Sequence, residues 1–187
     1  ITKESVISII ENDSFIDCVK IKKNDSTELL LYSYVNKYRQ KGYILSSIDS
    51  IYEHNDTIFA NFYKGEKFFF GQIQNSKTNE INSNFENKKA NLKKLDEYFE
   101  KKISTLNNSG YPFAKLNISN YKTEKNKLSI DYFIDNKNFV VYDSLYFNPK
   151  VRISKKFLQN YLNCQKKKPY NHQNFKTIDK KIEFINC

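Results

Sequence analysis

The residues of this sequence that could do chemistry are few, and they form no recognisable constellation. His54 lies beside Asp56 in a predicted turn, and His172 follows Asn171 near a predicted helix start, but neither has an evident nucleophile partner. No serine has a Gly-x-Ser-x-Gly setting, and a chain with only four glycines has no glycine-rich phosphate loop. The acidic pair Asp96-Glu97 has lysine neighbours on a predicted helix, which is typical of solvated ion pairs. We therefore expect no enzymatic activity.

Cysteine and histidine usage argues against a metal site, and we expect no cofactor. The three cysteines are Cys18, Cys164 and Cys187, they form no Cys-x-x-Cys pair, and the two histidines are far apart. Cys164 and Cys187 bracket one pair of predicted helices, so they are a candidate disulfide in an oxidising compartment. The alternative is that all three cysteines are free and serve as small apolar residues.

The chain is strongly basic, with a formal net charge of +10 over 187 residues and a pI near 9.3. Such a charge favours anionic partners, either lipid headgroups at a membrane surface or nucleic acid with aromatic rings stacked on bases. Nucleic acid is disfavoured because the aromatic residues fall mostly at core-facing positions and the lysines alternate with acidic residues. The simplest interpretation of the positive charge is that the lysines are solvated at the surface of a basic domain. The lysine clusters are residues 88–89, 93–94, 101–102 and 166–168.

Two Gly-Tyr pairs, at Gly42 and Gly110, organise the chain as a repeat. Each pair follows a helical pattern and precedes a strand pattern, and the two glycines are 68 residues apart, from 42 to 110. Apolar residues occur 11, 7 and 4 positions before each glycine and share one helix face. Glycine ends a helix readily because it adopts a left-handed conformation at no steric cost. The matching offsets predict a duplicated α+β module. The apolar residues are Leu31, Val35 and Tyr38 in the first copy, and Phe99, Ile103 and Leu106 in the second.

The predicted elements follow that repeat. Helices precede each glycine, and one more pair follows Ser154, which is expected to cap the first of them. We predict an N-terminal arm at 1–14, with a short helix or ordered segment, and a polar link at 75–89. A third unit begins but lacks its hairpin, so we expect the chain to be the N-terminal part of a longer protein. The predicted strands are 15–22, 43–52, 57–63, 66–74, 113–121, 127–134 and 139–147.

The order of these landmarks resembles tandem POTRA (polypeptide-transport-associated) domains of the BamA/TamA outer-membrane assembly superfamily. The resemblance covers roughly residues 15–187 and is carried by 38–45 (YRQKGYIL), 108–115 (NSGYPFAK) and 143–148 followed by 153–158. It implies an α+β fold of strand–helix–helix–strand–strand modules, with helices packed on small three-stranded mixed sheets. The implied division is an arm at 1–14, module 1 at 15–65, module 2 at 66–136 and a partial module 3 at 137–187.

The resemblance also implies where other proteins would bind. In the family the strand after the Gly-Tyr pair is a sheet edge, and unpaired backbone groups along such an edge can pair with an extended polypeptide. Here those strands are predicted at 43–52 and 113–121. The alternative is that each edge is solvated or paired with a neighbouring module. The candidate client-binding residues are Tyr43, Leu45, Ser47, Phe113, Lys115, Asn117 and Ser119.

The expected function is a periplasmic scaffold at the outer membrane, without chemistry of its own. Its implied partners are unfolded outer-membrane protein clients and accessory assembly proteins, with an anionic membrane surface as a further candidate. One alternative is a free-standing periplasmic or surface adaptor that binds partner proteins. A basic nucleic-acid-binding protein is the less favoured alternative.

Overall fold

A computed structural model describes residues 6–12, 14–21, 26–54, 57–146 and 153–183. These residues form an α+β structure, which divides by its contacts into two compact units, Ile1–Leu95 with Ser119–Asp131, and Asp96–Ile118 with Tyr132–Cys187. The strands are β1 (Val6–Glu11), β2 (Ser14–Lys20), β3 (Ser47–His54), β4 (Thr57–Tyr63), β5 (Phe69–Asn75), β6 (Glu80–Ile81), β7 (Lys115–Glu124) and β8 (Lys127–Asp135). The helices are α1 (Thr27–Arg39), α2 (Leu92–Asn107), α3 (Lys155–Tyr161), α4 (His172–Lys176) and α5 (Ile178–Glu183).

The first sheet has the strand order β2-β1-β4-β3 and carries α1 on one face. It is mixed, because β1 runs parallel to β4 while the other neighbours are antiparallel. Alternate residues of β1, Ile7 and Ile9, are fully buried against Leu31, Val35 and Phe62. This period of two is that of a strand with one face in the core. The expectation that residues 1–14 form an arm outside the module is therefore wrong for β1, which is a central strand of the sheet.

The second sheet repeats the order of the first as β6-β5-β8-β7. In the first sheet β2 runs antiparallel to β1, and in the second β6 runs antiparallel to β5. Each of these added strands, β2 and β6, takes the place of the first helix in the predicted strand–helix–helix–strand–strand order. The sheets are consequently four-stranded rather than three-stranded. The predicted link at 75–89 contains β6 and a series of turns. Its polar composition concealed β6, which has only two residues.

Both predicted glycine helix ends are confirmed. Gly42 has φ +102° and Gly110 has φ +97°. The amide of the following tyrosine reaches back to a carbonyl in the last helical turn, which satisfies one of the unpaired acceptors there. The carbonyl of the same tyrosine then accepts a hydrogen bond from the amide three residues later. The corresponding hydrogen bonds of the two copies lie 68 residues apart. The bonds are Tyr43 to Tyr38 (3.2 Å) and Ser46 to Tyr43 (3.0 Å), then Tyr111 to Leu106 (3.0 Å) and Ala114 to Tyr111 (3.1 Å).

Each glycine also contacts the start of the next predicted module. The Gly42 carbonyl accepts a hydrogen bond from the Phe68 amide at 2.8 Å, and the Gly110 carbonyl accepts one from the Val140 amide at 2.7 Å. The segments beyond these contacts pair alike, because Phe68 and Phe70 bond to residues 87–90 as Val140 and Tyr142 bond to residues 167–170. The third repeat thus begins as the second does. The module boundaries after residues 65 and 136 remain a prediction.

The third repeat differs from expectation at its first strand. Over the described part of 139–147, which ends at Tyr146, the structure shows only an isolated bridge between Val141 and Pro169. The predicted Ser154 cap is confirmed, since its Oγ accepts the Phe157 amide at 3.2 Å. The apolar spacing over 175–185 predicted one helix, and the structure has two short ones, α4 and α5, with residues 184–187 outside the described part.

Candidate functional site

Two long strands, β3 and β7, stand last in their sheets. Within the described residues, β3 is hydrogen-bonded only to β4 and β7 only to β8, so each presents one edge without a partner strand. Such an edge carries amide and carbonyl groups that can pair with another chain. The β3 ladder has a bulge at Asp49, because Ile48 opposes Phe62 while Ser50 opposes Asn61. The regular part of that edge is therefore residues 50–54.

The seven predicted binding residues divide between these strands and the turns before them. Four lie on the edge strands, Ser47 on β3 and the other three on β7, as predicted. The remaining three lie in the turns that follow the glycines, so their predicted strand positions are wrong. These turns occupy the first residues of each predicted strand, because the carbonyl of each tyrosine accepts a hydrogen bond from the amide three residues later. The β7 residues are Lys115, Asn117 and Ser119, and the turn residues are Tyr43, Leu45 and Phe113.

The turn residues have different surroundings. Tyr43 packs edge-on against Tyr38 with ring centroids 6.1 Å apart, and the Lys64 ammonium lies 4.8 Å from its ring. Leu45 and Phe113 are exposed. Tyr43 is thus a packing residue at the helix end, while the other two lie on the surface beside the edges.

The first groove runs between α1 and β3 and has a volume of about 500 Å³. Its apolar wall includes Leu31, Val35 and Ile48, with Tyr32 and Ile51 exposed at its margin. An extended chain paired on the β3 edge would present its side chains beside this apolar wall. The lining residues are Glu28, Leu31, Tyr32, Val35 and Arg39 from α1, and residues 47–51 from β3.

The charged groups of the first groove are already oriented by neighbours in the fold. The Arg39 guanidinium donates two hydrogen bonds to the Ser46 carbonyl, from Nη2 at 2.9 Å and from Nε at 3.1 Å. The Ser47 hydroxyl donates to Asp49 Oδ1 at 2.7 Å. Glu28 lies in the first turn of α1, where the helix dipole favours a negative charge. Arg39 thus completes the turn after the helix, and the groove keeps two carboxylates.

The second groove has a volume of about 470 Å³ and lies against α2 and β7. Its wall includes Phe99 and Ile103 from α2 and Leu116 from β7. Phe99 also packs on Tyr132, with ring centroids 4.9 Å apart. Unlike the first groove, it has two lining residues from a later helix, His172 and Lys176 of α4.

Comparison with solved structures decides the fold. The crystal structure of Haemophilus influenzae BamA POTRA3-5 matches with a TM-score of 0.58 and 13% identity, covering 98% of this chain and 87% of that chain. The chain has the fold of tandem POTRA domains. This confirms the predicted fold class. No family model matches the sequence, and the comparison with curated proteins found no match either.

Two structures of Omp85 proteins match less closely. The N-terminal domain of Omp85 from Thermosynechococcus elongatus has a TM-score of 0.36 and 13% identity, covering 86% of this chain and 73% of that chain. POTRA1-3 of the periplasmic domain of Omp85 from Anabaena has a TM-score of 0.38 and 10% identity, covering 98% and 87%.

The residues that line the two grooves of this chain were not predicted as a site. Leu31 and Val35, with their counterparts Phe99 and Ile103, were assigned to a core-facing helix stripe because they recur at helical spacing. The stripe does pack on the sheet, but it also forms a wall of each groove. The available signal was the 68-residue repeat, which applies equally to Ile48 and Leu116 on the edge strands.

Other predicted sites are described only in part. Cys164 is buried, while Cys187 lies outside the described residues, so the disulfide between them stays a prediction. Within the described residues no group of three or more histidine, cysteine or acidic side chains is arranged to hold a metal ion. In the same part of the chain, no helix has both the length and the apolar character needed to cross a bilayer.

Proposed function

We propose that this chain is a periplasmic scaffold of an outer-membrane protein assembly or translocation factor. It receives unfolded client polypeptides by pairing them, as added strands, with a free sheet edge, that of β3 or that of β7. The single observation that carries the proposal is that each sheet ends on a long strand with one unpaired edge beside an apolar groove. Backbone pairing supplies affinity that depends little on client sequence, while the groove accepts alternate side chains.

The fold supports the location and the partners. The solved structure with the most similar fold described above is the POTRA3-5 part of BamA, and the Anabaena structure is described as periplasmic. We propose the periplasmic side of the outer membrane for this chain, with accessory assembly proteins as further partners. Most lysines of the four clusters are exposed, which also suits contact with anionic headgroups, at about 1 kcal/mol for each lysine near the surface.

Amide NMR titration tests the edge pairing. A peptide copied from an outer-membrane protein strand is expected to shift the amides of β3, β7 or both, whereas the amides of the central strands β1 and β4 stay unmoved. Two matched peptides carry N-methyl groups on alternate residues, offset from each other by one position. Only one of them can still donate along the edge, so one should bind and the other should not. If both bind equally, or if no edge amide moves, the proposal is wrong.

A further inference from the structure

We infer that only the first of the two grooves is open to clients, and that its preferred occupant is an extended segment with an aliphatic side chain next to a lysine or arginine. In the second groove the chain's own α4 forms a further wall that restricts the approach of a client. This inference rests on the proposed function and adds which edge is used and what chemistry it selects.

The two grooves are the same site in two copies. Five of the first groove's residues, Leu31, Tyr32, Val35, Arg39 and Ile48, each have a counterpart 68 positions later that lines the second groove. The two grooves therefore occupy corresponding places in the repeat, and a difference in binding must come from the residues and elements that are not shared. The counterparts are Phe99, Glu100, Ile103, Asn107 and Leu116.

That difference is α4. The described lining of the first groove comes from α1 and β3 alone, whereas the second also has His172 and Lys176 from α4. Asn108, directly after α2, holds the start of α4 through two hydrogen bonds. Its Oδ1 accepts the Gln173 amide at 2.8 Å, and its carbonyl accepts Asn171 Nδ2 at 3.0 Å. These two bonds hold the start of α4 in place, so a client that approaches the second groove meets a wall that the first groove lacks.

The open groove has a distinct charge. In a chain of net charge +10, β3 carries Asp49 and Glu53 and no lysine or arginine. The groove itself is lined by the carboxylates of Glu28 and Asp49 and by Arg39, whose guanidinium is bonded to the Ser46 carbonyl. By contrast β7 carries Lys115 and Lys122 with one carboxylate, Glu124, which pairs with Lys122, and lysine on an edge strand discourages pairing with other chains. Carboxylates at a rim attract a basic partner, mainly by raising its association rate at low salt. The occupant is therefore an extended segment that is apolar toward the groove and basic beside it.

Titration with two matched peptides tests this. An alternating valine–lysine peptide is expected to shift amides of Ser47–His54 and to leave those of Lys115–Glu124 unmoved. A valine–glutamate peptide should bind about tenfold more weakly at low salt, a difference that shrinks as salt screens the charges. Equal binding of the two peptides, or amide shifts on β7 that match those on β3, would overturn the inference while leaving edge pairing intact. Failure of both peptides and of the strand peptide above would overturn the proposed function as well.

Variants separate the groove from the edge. Ile51 and Tyr52 are neighbours on β3 and about equally exposed, at 50% and 47%, but only Ile51 lines the groove, while Tyr52 stacks on Phe59. Ile51→Ser should weaken valine–lysine binding about tenfold, whereas Tyr52→Ser should change it by less than about threefold. Equal losses would contradict the role of the groove.

A variant that releases α4 tests the closure of the second groove. Combining Asn108→Ala, His172→Ala and Lys176→Ala removes the α4 side chains from the groove and the hydrogen bond accepted by Asn108 Oδ1. In this variant the strand peptide of the first experiment should shift β7 amides that are unmoved in the unaltered chain. If β7 stays unmoved while β3 responds as before, α4 is not what closes the second groove and the inference is wrong.

Discussion

Replacing Gly42 with alanine should destabilise the fold more than the small size of the added methyl group suggests, because the backbone at the start of the next predicted module lies directly against this residue. Gly42 has φ +102°, a conformation that costs an L side chain about 1–3 kcal/mol. An added Cβ would lie 2.9 Å from the backbone oxygen of Phe68, closer than real Cβ atoms approach backbone. Relieving that overlap displaces Phe68, whose amide bonds to the Gly42 carbonyl at 2.8 Å. Losing this bond adds about 0.5–1.5 kcal/mol.

The expected loss for Gly42→Ala is therefore about 2–4 kcal/mol in the free energy of unfolding. Gly65→Ala is the matched control, because Gly65 also has a positive φ, +70°, but its nearest neighbours are side-chain atoms of Tyr63 and Leu45, at 3.2 and 3.5 Å. Both of these side chains are exposed and can move, so the control should lose only about 1 kcal/mol.

Urea unfolding followed by circular dichroism measures the difference, and amide hydrogen exchange locates it. Exchange of the Phe68 amide should accelerate in Gly42→Ala and stay unchanged in Gly65→Ala. The reasoning is refuted if the two variants lose equal stability, or if Phe68 remains protected in Gly42→Ala, since the close approach of the next module would then carry no energy.

Three further predictions concern the core, a helix cap and alkaline pH. Ile9→Ala should lower the free energy of unfolding by about 2–5 kcal/mol, because Ile9 is fully buried between strand neighbours. Ser154→Ala should cost about 1 kcal/mol, since its Oγ accepts the Phe157 amide. Burial, then the neighbouring Tyr38 hydroxyl, raises the pKa of Tyr34. The folded state thus keeps this proton, stability falls as the pH rises above about 10, and Tyr34→Phe should flatten that fall.

Each of the three has a direct check. Ile16→Ala on β2, where the side chain is 39% exposed, should cost less than Ile9→Ala in the same urea titration. A Ser154→Thr variant should keep most of the cap energy, so equal losses for threonine and alanine would contradict the cap. Urea unfolding between about pH 8 and pH 11 measures the third, and parallel curves for Tyr34→Phe and the unaltered chain would exclude Tyr34 as the group responsible.

Much of the fold was predicted because alternating apolar residues, turns and glycine helix ends depend on a few neighbouring residues in the sequence. The strand at Thr57–Tyr63 was predicted with the bounds it has, since an alternating apolar pattern lies between two turns. The glycine helix ends were predicted from steric freedom alone. Both edge strands begin later than predicted, by four residues for β3 and two for β7, because the turn after each Gly-Tyr pair has the same residue types as a strand.

Elements that depend on distant partners were missed. The segment Val6–Glu11 has a short apolar run without strict alternation, so its sequence does not distinguish strand from helix. It becomes a strand because it pairs with β4, about fifty residues away. The position of α4 beside the second groove likewise depends on the hydrogen bonds of Asn108 with Asn171 and Gln173, and nothing in the local pattern of either segment indicates these contacts.

The way the first helix is replaced decides which edges remain for partners. In both sheets the added strand covers the outer side of β1 or β5. In the second sheet the added strand β6 has only two residues, which is too short to serve as a template, so β7 is the long free edge among the described strands. In the first sheet β2 has seven residues and also faces outward, but the groove lies beside β3. A client gains from the groove only on β3.

The bulge at Asp49 then limits how tightly β3 can hold a client. It leaves five residues, 50–54, in regular register, and only alternate residues of an edge strand direct their backbone groups outward. A paired client therefore forms about four to six hydrogen bonds, each with a net contribution of about 0.5–1.5 kcal/mol. Ordering the client costs much of this energy. If the proposed function is right, the edge should thus bind a client weakly and release it readily.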